Sequence, residues 1–119
     1  MAKKILVVDD EFTMVKLLEL ILKDKGYEVI VAADGSEALE KTYKEKPDLI
    51  ILDVMLPKID GYEVCSKLRA DENFKDLPVV FLTGLGMNIK KGMELGAVSY
   101  IGKPFNVEVL LKIVKTAVG

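Results

Sequence analysis

Leu49-Ile-Ile-Leu-Asp53-Val-Met-Leu-Pro-Lys-Ile-Asp-Gly61 is the stretch from which the fold is read. Leu49 to Leu52 are short, β-prone and unbroken, which predicts a strand buried on both faces, as parallel strands are. The run ends in one carboxylate and then a loop carrying Pro57 and Gly61. Asp53 therefore stands at the carboxyl edge of a parallel sheet, the edge at which open α/β sheets bind ligands. An aspartate after a strand also serves simply to cap a turn, so the residues that accompany Asp53 decide its role.

Composition excludes several classes. The chain of 119 residues is 50% hydrophobic, enough for one domain with a core. A net charge of −2 gives no basic surplus for nucleic acid. With a single cysteine, Cys65, and no histidine, there is no internal disulfide and no cysteine-based zinc site, and any metal must be held by oxygen. Cys65 falls at an apolar helical position and reads as core. The apolar run after Lys3-Lys4 is too short for a signal peptide, and none reaches the length of a membrane span, so a cytoplasmic protein without membrane contact is expected. No linker, internal repeat or low-complexity segment stands out.

Outward from that strand, the chain alternates two periodicities. Ile5 to Val8 reads as a strand, and Met14, Leu17, Leu18, Ile21 and Leu22 follow helical spacing until Gly26. Tyr27 to Ala33 is a second strand. Asp34 with Glu37 opens a helix carrying Ala38, Leu39, Thr42 and Tyr43, and Pro47 marks its end. Asp48 to Leu52 is the third strand. Asp60 with Glu63 opens a helix carrying Val64, Cys65 and Leu68, and Asp71 to Pro78 is a polar connection. Val79 to Leu82 is the fourth strand. Gly84 to Gly96 is weakly periodic, with Ile89 and Met93 as its best helical pair. Val98 to Ile101 is the fifth strand, and Asn106 caps a last helix. Five β/α units with right-handed crossovers predict an α/β, doubly wound parallel sheet with five helices.

On that frame Asp9 and Asp10 follow strand one, Asp53 ends strand three, Thr83 follows strand four and Lys103 follows strand five. All five share one edge. Singly, each has an ordinary reading: Asp10 caps the first helix, Thr83 caps the fourth, Lys103 is solvated. Jointly, three carboxylates within about 4 Å of one another repel by several kcal/mol at an effective dielectric near 20 and need a cation. An oxygen-only site favours a hard ion, and Mg²⁺ suits one or two carboxylates, waters and a phosphate oxygen. A lysine and a threonine facing it supply a charge and a donor for a phosphoryl group in flight. The constellation reads as phosphoryl transfer with Asp53 as nucleophile, since a carboxylate forms an acyl phosphate without an activating base.

Ile5-Leu-Val-Val-Asp-Asp10, Asp53-Val-Met-Leu-Pro-Lys-Ile-Asp-Gly61, Leu82-Thr83-Gly84 and Tyr100-Ile-Gly-Lys-Pro-Phe105, in this order and spacing, resemble the response-regulator receiver domain of two-component signalling. The resemblance spans essentially all of residues 1–119. It implies the flavodoxin-like strand order 2-1-3-4-5. It implies further that Asp53 accepts phosphate from a histidine of a partner kinase or phosphotransfer protein. Asp9, Asp10, Asp53 and the Met55 carbonyl would hold Mg²⁺, and Lys103 and Thr83 would contact the phosphoryl group. Thr83 and Tyr100 would be the switch residues, and the Lys103-Pro104 bond would be cis. Residues two beyond the acceptor and two beyond the threonine, here Met55 and Leu85, would flank the path of hydrolytic water.

Three features depart from the family pattern. Thr83 to Lys103 is roughly two residues shorter than the family spacing, which shortens the region after Thr83. Ser99 stands where many DNA-binding members carry an acid, and the last helix has no arginine, so the charged dimer contacts of that subfamily are not expected. With no output domain after the fifth helix, both a stand-alone regulator and a receiver cut from a larger protein fit. Two alternatives carry other chemistry: a haloacid-dehalogenase-like phosphatase using Asp9 with Glu11 as acid, and a flavodoxin-like FMN binder. The second would need a phosphate loop where this chain has two carboxylates. Gly84-Leu-Gly86 lacks the Gly-Lys-Ser/Thr of a P-loop and reads as a hinge. On the last helix Val107, Leu110, Leu111, Val114 and Val118 form one apolar stripe, and Val109, Ile113 and Ala117 a second beside it.

Overall fold

The structure is a computed structural model and describes residues 2–84 and 88–118. The chain runs β1 (Lys4–Val8), α1 (Phe12–Asp24), β2 (Glu28–Ala32), α2 (Gly35–Glu45), β3 (Leu49–Asp53), α3 (Gly61–Arg69), β4 (Val79–Thr83), α4 (Ile89–Glu94), β5 (Ser99–Gly102) and α5 (Val107–Val118). The strands form one sheet in the order β2-β1-β3-β4-β5, all neighbours parallel. The order reverses between β1 and β3, so the loops after these two strands diverge to opposite faces and leave a crevice at the carboxyl edge.

The strands are apolar throughout because both faces are covered. Ile5, Val7, Leu49, Ile51, Val80, Leu82 and Ile101 face Leu18 and Leu22 of α1 and Leu110 and Val114 of α5. Their alternates Leu6, Val8, Ile50, Leu52, Val79 and Phe81 pack against Ala38 and Leu39 of α2 and Val64, Cys65 and Leu68 of α3. Cys65 is buried in this second layer, as its apolar position predicts. Among the described residues no helix is long and apolar enough to cross a membrane.

Local chemistry sets the helix ends. Asp34, Asp60, Asn88 and Asn106 each accept the amide three residues ahead, at 2.7, 2.9, 3.0 and 3.1 Å respectively. Gly26, at φ +89°, follows the last turn of α1.

Several expectations are corrected. The ordinary reading of Asp10 and Thr83 as helix caps, already set aside for the site, has no support, since the cap of α1 is Glu11, without a side-chain cap bond, and that of α4 is Asn88. Val15 is buried where Leu17 was expected, because α1 presents Val15, Leu18 and Leu22 to the sheet. Tyr43, Ile89 and Met93 are exposed; α4 turns Gly92 inward instead, and a Cβ there would press on the Tyr100 ring and Phe81. The connection after α3 is not wholly polar, since Phe74 is buried and its ring meets that of Tyr43 at 5.5 Å. Val107 of the first α5 stripe is exposed, because only Leu110 and Val114 reach the sheet fully. The fifth strand begins at Ser99 rather than Val98, and the third and fourth extend through Asp53 and Thr83.

Candidate functional site

Parallel register brings the ends of β1, β3 and β4 level. Val8 pairs with Leu52, Asp53 with Leu82, and Thr83 with Gly102. Asp9 and Asp53 are almost wholly buried, at 1% and 5% exposure, while Asp10 is exposed. One carboxylate oxygen from each of the three lies within 4.8 Å of the others.

The two buried acids are held alike. Each accepts at Oδ1 from the amide two residues ahead, Glu11 N–H donating to Asp9 at 3.0 Å and Met55 N–H to Asp53 at 3.1 Å. Each turns Oδ2 to Lys103, whose ammonium donates to Asp9 at 2.8 Å and to Asp53 at 3.0 Å. Lys103 is set in turn by its own amide, which donates to the Thr83 carbonyl at 2.7 Å, and the Lys103-Pro104 bond is cis. Behind Asp53, the Gly61 amide donates to the Val54 carbonyl at 2.9 Å, and a Cβ on Gly61 would collide with the Asp53 carbonyl. Only glycine lets the loop close so tightly on the acid.

Burial raises the Asp53 carboxyl above the usual carboxylate range; the Lys103 hydrogen bond opposes this and the Asp9 charge adds to it. For Lys103 burial alone would lower the ammonium, yet its hydrogen bonds to Asp9 and Asp53 carry it above the ordinary lysine value. Three carboxylates thus gather at one edge with a single ammonium, which pairs with two of them. The donor set is all oxygen and its charge balance fits one divalent cation.

The structure gathers Asp9, Asp10, Asp53 and Lys103, and sets Thr83 at the adjoining strand end. The Met55 side chain is 78% exposed beside them. Tyr100 lies farther off, stacked on Phe81 at 6.4 Å, with its hydroxyl donating to the Ile89 carbonyl at 2.6 Å. Leu85, and with it most of Gly84-Leu-Gly86, lies outside the described residues. Sequence reasoning passed over Tyr62 and Arg69 of α3, which hold the two ends of α4; their spacing of seven on one helix face was the available signal.

A family model described as the response regulator receiver domain matches residues 5–115. The chain belongs to that family. Receiver domains are the part of two-component response regulators that histidine kinases phosphorylate on aspartate. The chain is 54% identical over 108 residues to the alkaline phosphatase synthesis transcriptional regulatory protein PhoP of Bacillus subtilis, covering 89% of this chain and 44% of that protein. It is 51% identical over 106 residues to the probable transcriptional regulator ycf27 of Cyanophora paradoxa, covering 87% and 43%. The chain thus spans less than half the length of these curated relatives. Among solved structures, the chemotaxis response regulator CheY4 of Vibrio cholerae superposes with a TM-score of 0.91 at 36% identity, covering 98% of this chain and 99% of that one. A signal receiver domain of a histidine kinase from Syntrophus aciditrophicus gives 0.91 at 35%, covering 98% and 90%. The family match displaces the phosphatase and flavin alternatives. In keeping with it, Glu11, the acid the phosphatase reading requires, is exposed and begins α1.

Proposed function

We propose that Asp53 is the phospho-acceptor of this receiver domain, taking a phosphoryl group from the phosphohistidine of a partner kinase or phosphotransfer protein. The observation that carries the reading is the Lys103 ammonium held at 2.8 and 3.0 Å between Asp9 and Asp53. Residues 1–119 act as one cytoplasmic switch unit, without direct contact to nucleic acid or membrane.

In the transfer an Asp53 carboxylate oxygen bonds to phosphorus as the bond to the imidazole nitrogen breaks, and the electron pair leaves with the imidazole. No base is needed, because the nucleophile is already ionised. Lys103 offers its charge and Thr83 its hydroxyl to the phosphoryl oxygens. Asp9, Asp10, Asp53 and the Met55 carbonyl would hold Mg²⁺, which supplies positive charge against those oxygens when bound. The phosphorylated domain then reshapes the face of α4, β5 and α5 through Thr83 and Tyr100 and so controls an output partner or domain. The domain assists its own phosphorylation and slow dephosphorylation rather than turning over a substrate.

The test is incubation with a small acyl phosphate and Mg²⁺, followed by intact mass measurement. One added phosphate is expected in the wild type and none in Asp53→Asn or in excess chelator. A phosphate that persists in Asp53→Asn, or forms equally well in chelator, would overturn the assignment.

A further inference from the structure

Tyr62, Cys65 and Arg69 recur on one face of α3, and this face grips α4 at both ends. At the near end a single phenol closes around one residue. The Tyr62 hydroxyl accepts the Asn88 amide at 3.0 Å and donates to the Asn88 carbonyl at 3.0 Å. Asn88 is the cap of α4, its side chain accepting the Lys91 amide, and the Lys91 ammonium sits 4.8 Å over the Tyr62 ring. The Tyr62 ring meets Phe81 edge-on at 5.4 Å, and Phe81 stacks on Tyr100, whose hydroxyl holds the next carbonyl, Ile89. Two phenols from different elements therefore bind consecutive residues at the start of α4.

The far end is fastened differently. The Arg69 guanidinium donates to the Leu95 carbonyl at 2.8 Å and the Gly96 carbonyl at 3.3 Å, and also to Phe74 and Lys75 at 3.3 and 3.2 Å. Cys65 Sγ adds a weak contact to the same Leu95 carbonyl at 3.5 Å. A rigid fork of donors spread over four carbonyls is hard to release, whereas one neutral, exposed hydroxyl is held by bonds of modest net strength.

We propose that Tyr62 is a positioning residue of the switch: its hydroxyl latches the first turn of α4, and Arg69 forms the pivot at the last. Phosphorylation then moves α4 by freeing the Asn88 end and swinging it about Leu95 and Gly96. The proposal rests on Asp53 being the acceptor. Lys103 is engaged by Asp9 and Asp53 in this arrangement, so the latch stabilises the unphosphorylated form. By linkage, weakening it must favour whatever binds the released form.

Tyr62→Phe keeps the ring against Phe81 and Lys91 and removes only the hydroxyl. The probe is beryllofluoride with Mg²⁺, a tetrahedral phosphoryl mimic, titrated against wild type and variant. Half-saturation is expected at a concentration at least about fivefold lower in Tyr62→Phe, the scale of one of the two hydrogen bonds the hydroxyl makes. Simple structural damage would weaken binding instead. Unchanged or weaker binding overturns the latch. Amide exchange without the probe gives an independent reading: Asn88, Lys91 and Gly92 should exchange faster in Tyr62→Phe, while Leu95, Gly96 and Ala97 keep their protection. Loosening of the whole helix, or of none of it, overturns the proposal. If Asp53→Asn binds the mimic as well as wild type, the acceptor assignment fails, and the exchange pattern alone then decides the latch.

Discussion

The Lys103 ammonium lies 3.0 Å from Asp53 Oδ2, across 50 residues of sequence. The contact joins the two outermost features of the site, a carboxylate on the central strand and a cation from the loop after the edge strand. It does not fully offset the burial of Asp53, whose carboxyl remains above its ordinary range. Asp53 is thus costly to keep ionised, which suits the proposed acceptor, whose carboxylate charge is used in forming the acyl phosphate.

That cost predicts a gain on neutralisation. Asp53→Asn should be more stable than wild type at neutral pH and should melt at a higher temperature. A carboxyl raised in the folded state binds its proton more tightly there than when unfolded. Its cost is therefore absent below the unfolded value and fully present above the folded one. The advantage of asparagine should vanish as pH falls through the carboxylate range. Denaturant titrations at neutral pH and below the carboxylate range check this, and a variant less stable than wild type at neutral pH would show that pairing with Lys103 outweighs burial.

Removal of the cation should act in the opposite sense. Lys103→Met keeps the stem and leaves Asp9 and Asp53 facing each other, so a loss of about 1–3 kcal/mol is expected. Because the Lys103 pKa is raised in the fold, the stability it contributes is complete below the ordinary lysine range and is lost only as pH rises through the raised value. Without the ammonium the Asp53 carboxyl, already raised by burial, moves further up, so the loss should be full at about pH 8 and should shrink as pH falls and that carboxyl takes up a proton. A loss that grows as pH falls would contradict the pairing.

Most of this frame was legible because parallel strands covered on both faces carry unbroken apolar runs, as Ile5 to Val8, Leu49 to Leu52 and Val79 to Leu82 do. Asp34, Asp60 and Asn106 announced their helices through one local hydrogen bond each. The site was legible because strand ends in a parallel sheet are level, so sequence position alone placed Asp9, Asp53 and Lys103 together. What could not be read depends on contacts between distant elements. The burial of Phe74 is settled by α2 and Tyr43, and the inward face of α4 by the size of Tyr100 and Phe81. The Tyr62–Asn88 pair spans 26 residues, and the spacing of Tyr62 and Arg69 marks a face of α3 without naming what that face holds.

The lifetime of the phosphorylated state is expected to be long. Met55, 78% exposed beside Asp53, offers no polar group to hold a water in line, and Leu85 is its apolar counterpart in the sequence. Met55→Asn together with Leu85→Glu should speed decay of the aspartyl phosphate by about tenfold or more, as a positioned polar group does in proton transfer. An unchanged decay rate in the double variant would show that water positioning is not the control.

Output should leave by the second stripe of α5. Val109 is 51% exposed, and Ile113 and Ala117 are only half-buried. Ile113 and Ala117 line a groove of about 470 Å³ with Val98, Ser99, Lys112 and Thr116. The groove runs from the start of β5, the strand that carries Tyr100, so a turn of that ring or a swing of α4 would alter its wall. Since Val109 is not among the α5 residues packed against the core, which are Leu110, Leu111, Ile113, Val114, Ala117 and Val118, Val109→Lys should leave stability within about 0.5 kcal/mol. Ile113→Lys should cost more, because it removes partly buried apolar area. Both variants should accept phosphate at the wild-type rate while losing about tenfold or more in affinity for a partner captured in a phosphorylation-dependent way. Unchanged affinity in two folded, phosphorylatable variants would place the output surface elsewhere.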